Sequence, residues 1–144
     1  QYTKYVEKSR KAADASNMDE MVKVVKVLAA DPASELPVAT YTITISTDGS
    51  ATEVTSEDDK KVEGKQLGVE AIKNALKDSI PNWNATKTKS QKWNDGAAAS
   101  IKADITVSED GGTKVAYSVI GFKANDTTKD PFANYMANGT DGIK

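Results

Sequence analysis

The chain has 144 residues and a formal net charge of −2, with Lys and Arg totalling 19 against 21 Asp and Glu, which fits one folded domain and argues against gripping a nucleic-acid backbone. Hydrophobic residues at 38% and charged ones at 28% are the mix of a folded chain rather than a disordered one. Histidine and cysteine are both absent, so no Ser-His-Asp triad, Cys nucleophile, His general base, Cys/His metal site or disulfide can be built from this sequence.

The first element is a helix over residues 1–30. Met18, Met21, Val22, Val25, Leu28 and Ala29 form a stripe at helical spacing. Tyr2, Val6, Ala12, Ala13 and Ala15 continue it more thinly towards the N-terminus. Asp31-Pro32 should stop it. A helix over 2–30 is about 43 Å long at ~1.5 Å per residue, against a diameter of about 37 Å for a globule of this length. Part of it is therefore expected to protrude or to be covered by another molecule. Its opening turn carries Lys4 and no acid, and Thr3 is followed by Val6 where a capping box has Glu or Gln. Gln1 reads as the middle of a longer helix whose beginning has been removed; the alternative is a frayed terminus.

After Pro37 the period becomes two. Tyr41, Ile43 and Ile45 alternate with Thr42, Thr44 and Ser46 as a half-buried strand, Thr47 to Ser50 is a turn, and Ala51 to Thr55 return as a weaker strand. Residues 56–65 read as charged and solvated. Val69, Ile72, Leu76 and Ile80 mark a short inserted helix over 67–80, ended by Pro81. Residues 82–98 read as a polar surface loop holding Trp83 and Trp93. Residues 99–122 are the clearest hairpin, with Ile101, Ala103, Ile105 and Val107 facing Val115, Tyr117 and Val119 across a turn at Glu109 to Gly112. Residues 123–144 read as a loop region with Phe132, Tyr135 and Ile143 as anchors. The expected fold is therefore α+β, one domain, with a long N-terminal helix packed on an antiparallel sheet of about four strands.

The opening run from Gln1 to Asp14 resembles type IV pilins just after their hydrophobic N-terminal half-helix. An aromatic pair, Tyr2 and Tyr5, precedes the basic, Ser/Ala-rich stretch Lys8-Ser9-Arg10-Lys11-Ala12-Ala13. The lack of a cysteine pair is more like pilins of Gram-positive bacteria. The resemblance implies a filament subunit, displayed on the cell surface and held in the cytoplasmic membrane before assembly by an apolar segment that is not part of this sequence. It implies roles in adhesion, motility or DNA uptake. It also implies self-association into a helical filament, an assembly machinery as partner, a host receptor or glycan as a further one, and no specific nucleic acid. No cofactor, metal or enzymatic activity is expected. A pseudopilin of a secretion or competence system is the nearest alternative, and a surface module binding glycan or protein is the alternative from another class.

Two sets of residues carry that reading. Tyr2, Tyr5, Val6, Lys8, Arg10 and Lys11 form the expected subunit-packing face, where Lys4, Lys8, Arg10 and Lys11 stand against Glu7 alone while the rest of the chain is acidic. A solvated charged face is the plain alternative. Met18, Met21, Val22, Val25 and Leu28 form the face turned to the core. Trp83 and Trp93 are taken as exposed loop aromatics beside Asn, suited to stacking on a sugar or a receptor. A loop Trp that folds back as an anchor is the competing and commoner case. Asn84, Asn125 and Asn138 begin glycosylation-type triplets. Asp126, Asp130 and Asp141 are where a calcium ion would be sought by analogy with pseudopilins, and Glu57-Asp58-Asp59 and Glu109-Asp110 are the other acidic clusters.

Overall fold

The computed structural model describes residues 2–34, 36–48, 52–56, 63–125 and 128–139, with backbone alone for 2–5 and 63–67. It is an α+β domain: a long helix and a second helix cover one face of a four-stranded antiparallel sheet. Helix α1 runs unbroken over Tyr2–Ala30, as expected of a stretch with no Pro or Gly before Asp31-Pro32. Its end is closed by side chain and turn together. The Asp31 N–H donates to the Leu28 carbonyl (3.2 Å), the Ser34 hydroxyl donates to the same oxygen (2.6 Å), and Pro32–Ser34 form a 3₁₀ turn capped by Asp31.

Strands β1 (Ala39–Ile45) and β2 (Thr52–Ser56) pair antiparallel, with Ile43 opposite Val54. Helix α2 (Glu63–Ser79) follows, then a 3₁₀ turn at Trp83–Ala85 and the hairpin β3 (Ile101–Val107) and β4 (Thr113–Val119). The sheet order is β2-β1-β3-β4. β2 and β3 thus run parallel on either side of β1, and the connection through α2 crosses over it.

Alternation decides the two faces. Ala39, Tyr41, Ile43, Ile45, Val54, Ile101, Ala103, Ile105, Val107 and Val119 are buried beneath the helices. The outer face carries threonines that pair along it: Thr42 donates to Asp104 at 2.6 Å, and Thr40 meets Thr106 at 3.1 Å. Met18, Met21, Val22 and Val25 of α1 and Val69, Ile72 and Leu76 of α2 complete the core. Burial of each such side chain contributes about 1.5–3 kcal/mol gross.

Three expectations are corrected. α2 begins at Glu63, four residues before the apolar spacing signals it. Ser56, taken as solvated, is buried and donates to the Thr40 carbonyl at 3.0 Å, because the β1–β2 pairing continues to it. The C-terminal region, taken as loop, contains helix α3 (Pro131–Asn138). Its start is an aspartate cap followed by Pro at the first helical position, and its end is Gly139 at φ 79°. Phe132 is fully buried, Tyr135 half-buried, and Ile143 lies outside the described residues.

Gly68, in α2, sits against the Tyr41 ring. A Cβ there would collide with the phenol oxygen and come within 2.8 Å of Cζ. Tyr41 is fully buried and its hydroxyl donates to the Pro37 carbonyl at 2.7 Å, so the ring has no easy retreat. Gly68→Ala would stabilise an open helix by about 1 kcal/mol. Here overpacking, about 1–3 kcal/mol, outweighs it, and denaturant unfolding should show a net loss of stability.

Candidate functional site

The inner stripe of α1 changes character along its length. Its phase of three and four residues runs back from Val25 through Met21 and Met18 to Asp14, Lys11 and Glu7. The C-terminal half of this line is apolar; the N-terminal half is charged, yet it too is turned inward. Lys11 is 8% exposed and Asp14 1% exposed. What faces them is the segment 86–94, which passes from the sheet edge onto the helix. The Thr52 hydroxyl donates to the Thr86 carbonyl at 2.8 Å and the Thr88 N–H to the Ser46 carbonyl at 3.0 Å, tying the segment to β2 and to the end of β1.

Asp14 joins helix to segment. Its Oδ1 accepts the Lys89 N–H (2.6 Å), and its Oδ2 accepts the Ser90 N–H (3.0 Å) and the Trp93 indole N–H (2.9 Å). Two turns back, Glu7 Oε1 accepts the Ser90 hydroxyl at 2.9 Å, while Glu7 Oε2 has no hydrogen bond and lies 3.5 Å from Arg10 Nη1. Burial pushes the Asp14 carboxyl above the ordinary aspartate range, and the three N–H donors oppose that without cancelling it. On the sheet, burial and the nearby Asp19 carboxylate raise the Tyr117 phenol.

Trp93 is fully buried, which corrects its assignment as an exposed aromatic. Phe132 meets its ring edge-on at 5.1 Å, Tyr135 does so at 5.7 Å, and Lys11 Nζ stands 5.3 Å from its centroid. Its sequence neighbours Lys92 and Asn94 are polar, yet the indole inserts, and so do Thr88 and Ser90 of the same loop. Trp83, 8% exposed, is likewise buried, in the 3₁₀ turn beside β2. Lys11 is corrected with them, since it belongs to this internal seam and not to an outward packing face. Asp130, weighed as a calcium ligand, is a structural cap. Its Oδ1 accepts the N–H groups of Phe132 (2.9 Å) and Ala133 (3.0 Å), and its Oδ2 accepts the Val119 N–H (2.9 Å). Asp126, Asp141 and Glu57 to Asp59 lie outside the described residues, among which no group of three or more acidic residues is placed to hold a metal ion.

The rest of the expected packing face divides. Lys8 and Arg10 are exposed, Val6 is half-buried, and the side chains of Tyr2 and Tyr5 lie outside the described residues. Of the core face, Met18, Met21, Val22 and Val25 are buried and Leu28 is half-buried. Asn84, Asn125 and Asn138 are all exposed. The charged half of the stripe was within reach of sequence reasoning: its spacing continues the apolar half, and only the expectation that inner means apolar concealed it.

No family model, curated protein or solved structure matches this chain.

Two outcomes follow. Trp93→Ala should cost about 3–5 kcal/mol of unfolding free energy, while Trp93→Phe keeps the ring contacts and loses chiefly the indole hydrogen bond, about 0.5–3 kcal/mol. Asp14 also makes stability depend on pH. Its folded pKa is raised, so the folded chain binds the extra proton between the unfolded value, about 3.9, and the raised one. Its contribution is full below the unfolded value and is lost as pH rises through the folded value. The stability gap between wild type and Asp14→Asn should therefore narrow as pH rises across that window in denaturant titrations.

Proposed function

We propose that this chain is the head-bearing part of a type IV pilin-like filament subunit, with a mechanical role at the bacterial surface. The observation that carries the reading is helix α1: unbroken over Tyr2–Ala30, buried along its inner line from Lys11 to Val25, and leaving Lys8 and Arg10 exposed on its flanks. The resemblance of residues 1–14 to pilins supplies the family, and the helix-on-sheet architecture is compatible with it. A rod that satisfies its own core on one side is free to pack against copies of itself on the other. Asp14 and Asp130 hold the loop and the tail in a chain without cysteines, which suits a subunit under load. The rival reading as a glycan-binding surface module drew on Trp83 and Trp93 as a stacking platform, and their burial removes that platform.

The test is electron microscopy of cells expressing the whole gene. Long surface filaments are expected from the wild type, and Lys8→Glu with Arg10→Glu should abolish them. Because Arg10→Glu also replaces the ion pair to Glu7 with a like charge, Glu7→Gln, which loses the same pair and should keep its filaments, separates lost packing from lost stability. Unaltered filaments in that double variant would sink the reading of α1 as the packing rod.

A further inference from the structure

The segment that crosses α1 turns its hydroxyls in and its charges out. Thr88, Ser90 and Trp93 are buried, whereas Lys87, Lys89 and Lys92 are exposed. The sequence holds no acidic residue between Asp78 and Asp95. The Ser90 hydroxyl donates to Glu7 at 2.9 Å and the Lys89 N–H to Asp14 at 2.6 Å, so these lysines stand beside the N-terminal half of α1. There they join Lys8 and Arg10, exposed on the two flanks of the inner line. The acids of the same stretch of helix face the other way: Asp14 is 1% exposed and the Glu7 side chain 13%. Lys89 acts on the Asp14 carboxylate and Arg10 stands 3.5 Å from Glu7, while Lys8, Lys87 and Lys92 have no ion pair among the described residues. Exposed Asp95, just past Trp93, is the acid closest to these lysines in sequence.

We propose that this end of the domain seats on an anionic lipid surface. The start of α1 points towards the bilayer, and the helix inclines over its inner side so that Lys87, Lys89 and Lys92 reach the headgroups. The proposal rests on the filament reading, in which a subunit stands at a membrane before assembly, and it adds the contact that the head makes there. Three features select a lipid plane. Bases on both flanks of α1 and on the segment across its inner line surround the rod on three sides. A plane met end-on engages all of them, whereas a groove or a duplex lying along one face does not. The first turns of the helix carry Tyr2, Lys4 and Tyr5 in sequence at the same end, and Tyr together with Lys or Arg is the composition of a membrane–water interface. Burial of Trp83 and Trp93 removes the loop rings on which a single-stranded nucleic acid would stack.

Sedimentation of the chain with vesicles tests this. Vesicles of equal parts phosphatidylglycerol and phosphatidylcholine should bring the chain down at low salt, where screening reaches beyond the ~8 Å of physiological solution. Vesicles of phosphatidylcholine alone should not. Lys87→Gln, Lys89→Gln and Lys92→Gln together should lower the partition coefficient about tenfold or more, with thermal unfolding near that of wild type because the three side chains are exposed. The set Lys23→Gln, Lys26→Gln and Lys114→Gln removes equal charge elsewhere on the surface and should leave binding within about twofold. Equal losses from the two sets, tighter binding to a DNA duplex than to the anionic vesicles, or no binding to either vesicle overturns the lipid contact. The assay needs no filaments. Failure to bind while the whole gene still gives filaments overturns this contact alone, and binding by a chain whose whole gene gives none overturns the filament reading alone.

Discussion

The buried Asp14 carboxylate is the constraint around which this domain is arranged. Three N–H groups converge on it from a segment that belongs to neither helix nor sheet, and two of them, from Ser90 and the Trp93 indole, would be buried and unpaired if the carboxylate were missing. Only an acid can serve there. A carboxylate offers acceptor oxygens on both sides, whereas an amide would turn an N–H₂ group towards one of the donors. Burial works against the charge and the three donors work for it. The result is a site that holds helix and segment in one relative position, because any slip strands polar groups on both partners.

Asp130 repeats the device at the other end of the chain. It caps α3 with one oxygen and takes the last N–H of β4 with the other, fixing the short helix to the sheet edge. The two carboxylates act on a common centre. Asp14 holds the Trp93 indole from the helix side, while α3, positioned by Asp130, brings Phe132 and Tyr135 against the edges of the same ring system. Trp93 is thus the point where α1, the irregular segment and the C-terminal helix meet. In a chain without cysteine, hydrogen-bonded carboxylates and one aromatic cluster do the work a disulfide would otherwise do in restraining loop and tail.

How far the fold could be read from the residues follows from what kind of signal each part leaves. Ile101 to Val107 and Tyr41 to Ile45 declare themselves because alternation between two faces is written directly into neighbouring residues. Met18 to Val25 do so because burial is apolar there. The signal failed where burial is polar: Glu7, Lys11 and Asp14 share the phase of the buried stripe, yet charge read as exposure. It failed again at Trp93, whose surroundings in sequence are Lys, Asn and Asp while its surroundings in space are Phe132, Tyr135 and Lys11. The tail hides its helix for a third reason. Asp130-Pro131 is an ordinary helix start and Gly139 an ordinary stop, but a helix of eight residues among Asn, Asp and Thr contributes little pattern of its own. Each failure is tertiary in origin, since long-range partners decide what a locally ambiguous residue does.

The same inward turn of charge decides what the helix shows to solvent. Position 11 lies on the inner line of α1, so its lysine is turned inward by the helix phase itself, while Lys8 and Arg10 fall to either side of that line. With Lys11 drawn in over Trp93, Lys8 and Arg10 are left exposed on the two flanks of the inner line. At the far end of the rod, the uncompensated helix terminus and the β3–β4 turn gather acid. Exposed Lys23 and Lys26 stand between the two ends, and Lys23 is paired with Asp19 at 3.0 Å, so charge of both signs runs along the solvent side of the helix. What the core retains and what it leaves outside therefore sets the charge along the rod: Glu7, Lys11 and Asp14 are taken up in holding the 86–94 segment, and only the side chains off that line face solvent.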